Sequence, residues 1–211
     1  MGKGKTALVT GGNSGISRRN GLKLALAGLA ISPPSTFSLA TTIRNKNMTT
    51  RKVEVERLSL TSSKPFDAVV ASIKAAVGQP DMAEFRRTTR SAQSLDELER
   101  AVQRGLGPTG LMLFMELDQG DILRRESGLE ARKIVRLVIG NPLIMKEMVK
   151  HVPDAGSYAP VTILIDERRD GVHLSYDTMA SLLAPYGSPE ALTVARDLDT
   201  KIENLLREAA S

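Results

Sequence analysis

The 211-residue chain contains no cysteine and no tryptophan, and only 3% of its residues are aromatic. Without cysteine the protein has no disulfide framework, no thiolate metal ligand, no iron–sulfur cluster and no cysteine nucleophile. Because aromatic rings are so few, the 41% of residues that are hydrophobic must build a core from aliphatic side chains and methionine. A cysteine-free chain tolerates any redox environment, so this absence does not indicate a compartment.

Acidic side chains are absent from residues 1–52, which hold nine lysines and arginines; the first acid is Glu54. The whole chain has a net charge of +5, and subtracting these nine cations leaves −4 for residues 53–211. A basic chain is often a nucleic-acid binder. Here the basic charge belongs to a terminal segment, so we predict no nucleic-acid partner.

The N-terminal segment also lacks a hydrophobic run long enough to cross a membrane, because its longest small or apolar stretch is residues 24–31 and a spanning helix needs about 20 residues. That stretch follows Arg18-Arg19 in a pattern that resembles a twin-arginine export signal, with small residues before a cleavage point after Ala40. We therefore predict a basic, largely disordered extension over residues 1–52 and no membrane span. The protein is exported to the periplasm if residues 17–40 act as a signal, and is otherwise cytoplasmic. A transit peptide and a natural start at Met48 remain alternatives.

Residues 1–16 resemble the first strand and glycine turn of short-chain dehydrogenases, in which glycines let the backbone approach a dinucleotide pyrophosphate. The matching positions are Thr10, Gly11, Gly12 and Gly15. Ser17 stands where the last glycine belongs, Pro33-Pro34 interrupts the helix that should follow, and no Tyr-x-x-x-Lys occurs in the chain. A nicotinamide-dependent oxidoreductase is therefore an alternative that the rest of the sequence does not favour, and we predict no cofactor.

The hydrophobic pattern from residue 53 to residue 208 predicts one domain in the order β-α-α-β-α-β-α-β-β-α. We expect an α+β fold with a mixed, mainly antiparallel sheet of about five strands and helices packed on it. The predicted strands are 53–60, 111–117, 134–139, 161–165 and 172–176, and the predicted helices are 65–77, 94–105, 121–126, 141–150 and 188–206.

Turn and capping residues support several of these boundaries. Ser63 and Ser94 are candidate helix caps, and Asn141 can cap the helix that Pro142 opens. Asp170-Gly171 predicts a tight antiparallel hairpin. The arginine-rich stretch 85–93 is interpreted as a solvated loop.

The order of short motifs from the second strand to the hairpin resembles the domain-of-unknown-function 302 family. The motifs are Leu117-Asp118-Gln119 after the second strand, Gly140-Asn141-Pro142 before a helix, Ala159-Pro160 before the fourth strand, Asp170-Gly171 in the hairpin, and Tyr176. The likeness extends over about residues 53–208 and is clearest over 134–186. It implies a compact α/β domain, often self-associating, with no established reaction. Gln119 stands where many members carry histidine, so a metal or proton-transfer role does not carry over to this position.

No set of residues in the sequence forms a complete catalytic group, so we assign no catalytic residue and no metal ligand. The sequence favours a non-catalytic homodimeric domain that binds a small ligand or a protein partner. The candidate ligand-binding residues are Asp118, Gln119, Gly140, Asn141, Pro142 and Tyr176. The alternative is an enzyme of unknown reaction that uses Asp118, Tyr176 and His173.

Overall fold

A computed structural model describes residues 48–128 and 132–211, and the compact unit that concerns us is Thr49–Ser211. Its strands are β1 (Arg57–Ser62), β2 (Met112–Asp118), β3 (Ile134–Gly140), β4 (Val161–Arg168) and β5 (Gly171–Asp177). Its helices are α1 (Phe66–Ala76), α2 (Met82–Ser91), α3 (Leu95–Gly105), α4 (Gly120–Ser127), α5 (Pro142–Val149), α6 (Met179–Leu183) and α7 (Pro189–Ala210). Short 3-10 turns cover Pro153–Ser157 and Ala184–Tyr186.

The five strands form one sheet in the order β1-β5-β4-β3-β2, and each neighbouring pair is antiparallel. The one parallel contact in the described part is an isolated bridge between Gly78 and Met112. The predicted α+β class, the five strands and the mainly antiparallel sheet are confirmed. The hairpin between β4 and β5 turns at Gly171, whose φ of 137° favours glycine.

One face of the sheet is covered by helices and carries the core. Alternate residues of β3, β4 and β5 point to this face, and α1, α5 and α7 supply the opposing side chains. In α7 the apolar positions Ala195, Leu198, Ile202, Leu205 and Leu206 are all buried, because they recur at helical spacing on one side. The core is almost entirely aliphatic and methionine, as the composition requires.

The other face of the sheet, called here the open face, consists of the strand side chains that point away from the helices. Its central row has one residue from each strand, and each residue is paired in the register with the next one. From β2 across to β1 the row is Leu117, Arg136, Leu164, Ser175 and Ser59. Antiparallel sheets often leave one face to solvent. The open face therefore combines apolar, hydroxyl and charged side chains.

Several local features differ from the predictions. The first strand begins at Arg57, four residues after its predicted start. Ser63 caps no helix, because α1 begins at Phe66 after Pro65 and has no side-chain cap. The short helix α6 lies directly after Tyr176-Asp177-Thr178 and was not predicted.

The stretch 85–93, interpreted as a loop, is mostly helical because it belongs to α2. The side chain of Asp81 accepts hydrogen bonds from the backbone N–H groups of Ala83 and Glu84 at 2.8 and 2.9 Å. This cap satisfies two of the free donors at the helix start. The helix then packs against α3, so its arginines stand on an exposed helical surface.

The predicted extension lies almost entirely outside the described residues. The dehydrogenase-like residues 1–16, the export signal at 17–40 and the cleavage point after Ala40 are all in this part of the chain. Residues 48–56 are described and contain no helix or strand. No helix in the described ranges is long and apolar enough to span a bilayer.

Candidate ligand-binding site

An apolar pocket opens beside Gly140-Asn141-Pro142, the motif that the sequence placed at a candidate site. Its volume is about 120 Å³, and α5, the start of β4 and one residue of α7 surround it. The lining residues are Phe114, Gly140, Asn141, Pro142, Ile144, Met145, Met148, Ala159, Pro160, Val161 and Leu198. None of them is charged, and only Asn141 has a polar side chain.

The side chain of Asn141 is already engaged by the protein. Its Oδ1 accepts a hydrogen bond from the N–H of Leu143 at 2.8 Å, which caps α5. Its Nδ2 donates to the carbonyl oxygen of Gly110 at 2.9 Å. With one hydrogen bond at each end of the amide, Asn141 fixes the direction of α5, and one N–H and one oxygen lone pair of the amide remain.

Gly140 sets how closely the pocket walls approach one another. A Cβ atom at this position would lie 3.1 Å from Cβ of Pro160 and 3.6 Å from the ring of Phe114. The first of these distances is tighter than an ordinary van der Waals contact. Glycine therefore allows the end of β3 to lie against Pro160 with the ring of Phe114 beside it.

Phe114 reaches the pocket because β2 is irregular at this point. The pairing register with β3 shifts between Leu113 and Met115, so Phe114 has no partner residue in the ladder. Such a bulge bends a strand and redirects a side chain. Sequence reasoning missed Phe114, since a bulge in an apolar run leaves no periodic signal.

Two other candidate residues, Gln119 and Tyr176, line a second hollow of about 200 Å³, located among open-face residues. Arg57 and Asp177 form a bidentate ion pair there, with Nε–Oδ1 at 2.5 Å and Nη2–Oδ2 at 2.8 Å. The hydrogen bond and charge of Arg57 lower the pKa of the Asp177 carboxyl. This hollow is polar and contains Arg136, so it differs in chemistry from the apolar pocket.

The side chain of Tyr176 is buried, and its hydroxyl is hydrogen-bonded within the protein. The residue is 1% exposed, and its hydroxyl donates a hydrogen bond to Oδ1 of Asp199 on α7 at 2.5 Å. The same carboxylate accepts from the N–H groups of Met179 and Ala180 at 2.7 and 2.9 Å. Burial, followed by the charge of Asp199, raises the pKa of Tyr176. Asp199 therefore holds the start of α6 and the end of β5 to α7.

Asp118 lies in neither hollow. Its Oδ2 accepts a hydrogen bond from Arg124 at 2.5 Å, which lowers the pKa of the carboxyl. The neighbouring acids are also paired, Glu116 with Lys74 and Asp121 with Arg125. Over residues 48–128 and 132–211, no group of His, Asp and Glu side chains could hold a metal ion.

The structure thus brings together Gly140, Asn141 and Pro142, places Gln119 and Tyr176 at a different hollow, and leaves Asp118 apart. The residues of the enzymatic alternative are also separated. Tyr176 points toward α7, whereas His173 belongs to the open face and contacts Asp170 of its own hairpin at 3.0 Å.

These features define a single-sheet α+β domain with an apolar pocket at the strand-to-helix turn after β3. The model of the family described as domain of unknown function DUF302 matches residues 87–209. The chain therefore belongs to the DUF302 family, which confirms the resemblance seen in the motif order.

A solved structure is similar over most of the described part. It is the crystal structure of an uncharacterized conserved DUF302 protein from Bacillus stearothermophilus, with a TM-score of 0.51 and 10% sequence identity. The similarity covers 72% of this chain and 97% of that chain. At this identity the likeness shows a shared fold. No curated protein matches the chain.

Proposed function

We propose that the protein is a non-catalytic, homodimeric domain that binds a small neutral ligand in the apolar pocket beside Gly140-Asn141-Pro142. The observation that carries the ligand proposal is the lining of this pocket, which contains no charged side chain. Its volume of about 120 Å³ is close to that of an apolar cavity of about 150 Å³ that binds benzene, so the pocket suits a single ring or a group of similar size. An ion would lose its hydration there without gaining a partner of opposite charge.

The chemistry of the walls indicates which part of a ligand would be buried. Asn141 uses both ends of its amide within the protein. The apolar contacts with a ligand would come from Phe114, Ile144 and two methionines, Met145 and Met148. Methionine side chains are flexible and polarizable and adapt to irregular apolar shapes. A hydrophobic ring or a short branched aliphatic group fits this description better than an anion does.

The alternative of an enzyme has weaker support. Asp118, Tyr176 and His173 each have a partner within the protein, respectively Arg124, Asp199 and Asp170. A general acid or base must reach the reacting atom and a shared substrate position. These three side chains belong to different parts of the molecule.

The ligand proposal is tested with the neutral fluorescent probe N-phenyl-1-naphthylamine, whose emission rises in an apolar site. The test variant is Met145→Trp, which enlarges a half-buried side chain in the pocket lining. Its matched control is Leu95→Trp, at a position that is 54% exposed on α3 and absent from the pocket. Because the natural chain contains no tryptophan, both variants introduce the same single fluorophore.

We expect saturable probe binding in the natural protein and in Leu95→Trp. In Met145→Trp the dissociation constant should rise by about tenfold or more, which corresponds to about 1.4 kcal/mol of lost binding. Equal binding by both variants, or no saturable binding by the natural protein, would refute the ligand proposal. Circular dichroism of each variant checks that the fold is retained.

A further inference from the structure

Four polar side chains that line the second hollow have no partner in the described part of the protein. This hollow, called the polar hollow from here on, lies on the open face and has a volume of about 200 Å³. Over residues 48–128 and 132–211, the four side chains make no hydrogen bond and no ion pair with the protein. They are Gln119, Arg136, Thr162 and Ser175. The fold therefore brings an unused cation and several unused hydrogen-bonding groups to one place.

The charged residues of the polar hollow leave one positive charge uncompensated. Arg57 and Asp177 neutralise each other in their bidentate pair. Asp166, two residues beyond Leu164 on β4, is held by Arg168 at 2.5 Å. The remaining charge is that of Arg136, which is exposed on β3, an interior strand of the sheet. A hollow with a net positive charge attracts anions.

The neighbours of Arg136 on the open face are apolar. The pairing register places Arg136 between Leu117 of β2 and Leu164 of β4. The methylene stem of an arginine packs along such apolar side chains while its charged head stays accessible. A charge that is partly surrounded by apolar groups is screened less than one that is fully solvated. Leu164 also lines the polar hollow, so an apolar group lies beside the cation.

We propose that the polar hollow binds a small organic monocarboxylate through the guanidinium of Arg136. The planar fork of a guanidinium matches the two oxygens of a carboxylate. The hydroxyls of Thr162 and Ser175 and the amide of Gln119 supply further hydrogen-bond donors. The apolar part of the ligand would lie against Leu164. This inference goes beyond the proposed function, because it assigns a second site that requires a charge where the apolar pocket excludes one.

The net charge of the hollow favours a carboxylate over a phosphate. A single uncompensated cation balances one negative charge, whereas a phosphate group carries about −1.5 to −2 at pH 7. Asp177 also lies in this hollow, so the excess charge of a dianion would be repelled there. Arg57 does not remove this difference, because its charge is already balanced by Asp177.

The test is isothermal titration calorimetry of the full chain with benzoate in low-salt buffer, since salt screens exposed charges. Benzamide serves as the neutral analogue and inorganic phosphate as the second anion. Arg136→Gln removes the charge, and Arg136→Lys keeps the charge but loses the planar fork. The matched control is Arg86→Gln, which removes the same charge at an exposed position on α2. Because Arg136 is exposed, both of its variants should fold, and circular dichroism checks this.

We expect saturable benzoate binding by the natural protein and by Arg86→Gln. The dissociation constant should rise at least about tenfold in Arg136→Gln, and Arg136→Lys should lie between the two. Phosphate should bind more weakly than benzoate, and any binding of benzamide should be the same in Arg136→Gln as in the natural protein.

The proposal is overturned if the natural protein does not bind benzoate saturably, or if Arg136→Gln binds benzoate as tightly as the natural protein does. Tighter binding of phosphate than of benzoate would overturn the assignment to a carboxylate. The proposal for the apolar pocket is decided separately, because its probe is neutral and its test variant is Met145→Trp.

Discussion

Asp199 is expected to be one of the most important polar residues for stability, although it lies on an ordinary-looking helix. Its carboxylate accepts three hydrogen bonds, from the hydroxyl of Tyr176 and from the N–H groups of Met179 and Ala180. The perturbation is Asp199→Ala, which removes all three acceptor contacts and leaves the rest of α7 intact.

The cost follows from the groups that lose their partner. Tyr176 is 1% exposed and Met179 is 0% exposed, so neither donor can turn to water without opening the structure. A buried donor without a partner costs about 1–3 kcal/mol. Because the N–H of Met179 keeps a longer contact with the hydroxyl oxygen of Tyr176 at 3.3 Å, the loss for the two donors together should be about 3 kcal/mol, near the low end for two such groups. Tyr176→Phe should cost only about 1 kcal/mol, because Asp199 keeps its two backbone donors.

Urea unfolding followed by circular dichroism measures these values and their coupling. The double variant should lose about 3 kcal/mol, less than the sum of the two single losses, since each removes part of the same network. A loss below about 1 kcal/mol for Asp199→Ala, or additive losses in the double variant, would refute this account of the network.

Two further predictions concern alkaline stability and a close backbone contact. Burial raises the pKa of Tyr176 above the ordinary 10.0. Above that pH the unfolded state loses this proton while the folded state keeps it, so stability falls by about 1.4 kcal/mol per pH unit. Tyr176→Phe has no hydroxyl at this position, so its stability lacks this pH dependence. The difference in free energy of unfolding between the natural protein and Tyr176→Phe, measured with urea, should therefore nearly vanish between about pH 9 and about pH 11. A difference that stays constant would contradict the raised pKa of Tyr176. At Gly78 a Cβ would lie 1.9 Å from the carbonyl oxygen of Gly105, so Gly78→Ala should lose several kcal/mol in the same assay. Gly187→Ala, with a φ of 68° and nothing within 4 Å, should lose only about 1 kcal/mol, and equal losses would contradict the steric explanation.

Much of the fold was predictable because local signals agreed with it. Asn141-Pro142 and Ser188-Pro189 mark helix starts, and Asp170-Gly171 marks the hairpin, as the structure confirms. Helix α2 also has a local signal, because Asp81 with Glu84 three residues later is a helix-start pattern. The arginines of this stretch suit a solvated loop and an exposed helix equally, and the cap by Asp81 decides for the helix.

Other features depended on contacts between distant parts of the chain. The start of α6 is held by Asp199, about twenty residues further along, and no local pattern reports this contact. The role of Tyr176 likewise follows from the burial of its hydroxyl against α7. The bulge at Phe114 and the position of Leu198 depend on how the layers pack. Sequence reasoning therefore found the turn beside the pocket and missed most of the pocket's walls.

The central claim, that the apolar pocket beside Gly140-Asn141-Pro142 binds a small neutral group, is most directly tested by methionine methyl NMR. The chain has eight methionines, of which Met145 and Met148 line the pocket, while Met115 lies on the open face. Titration of ¹³C-methyl-labelled protein with N-phenyl-1-naphthylamine should shift the Met145 and Met148 signals saturably and leave Met115 unchanged. Shifts confined to Met115, or no saturable shift at Met145 and Met148, would contradict the claim.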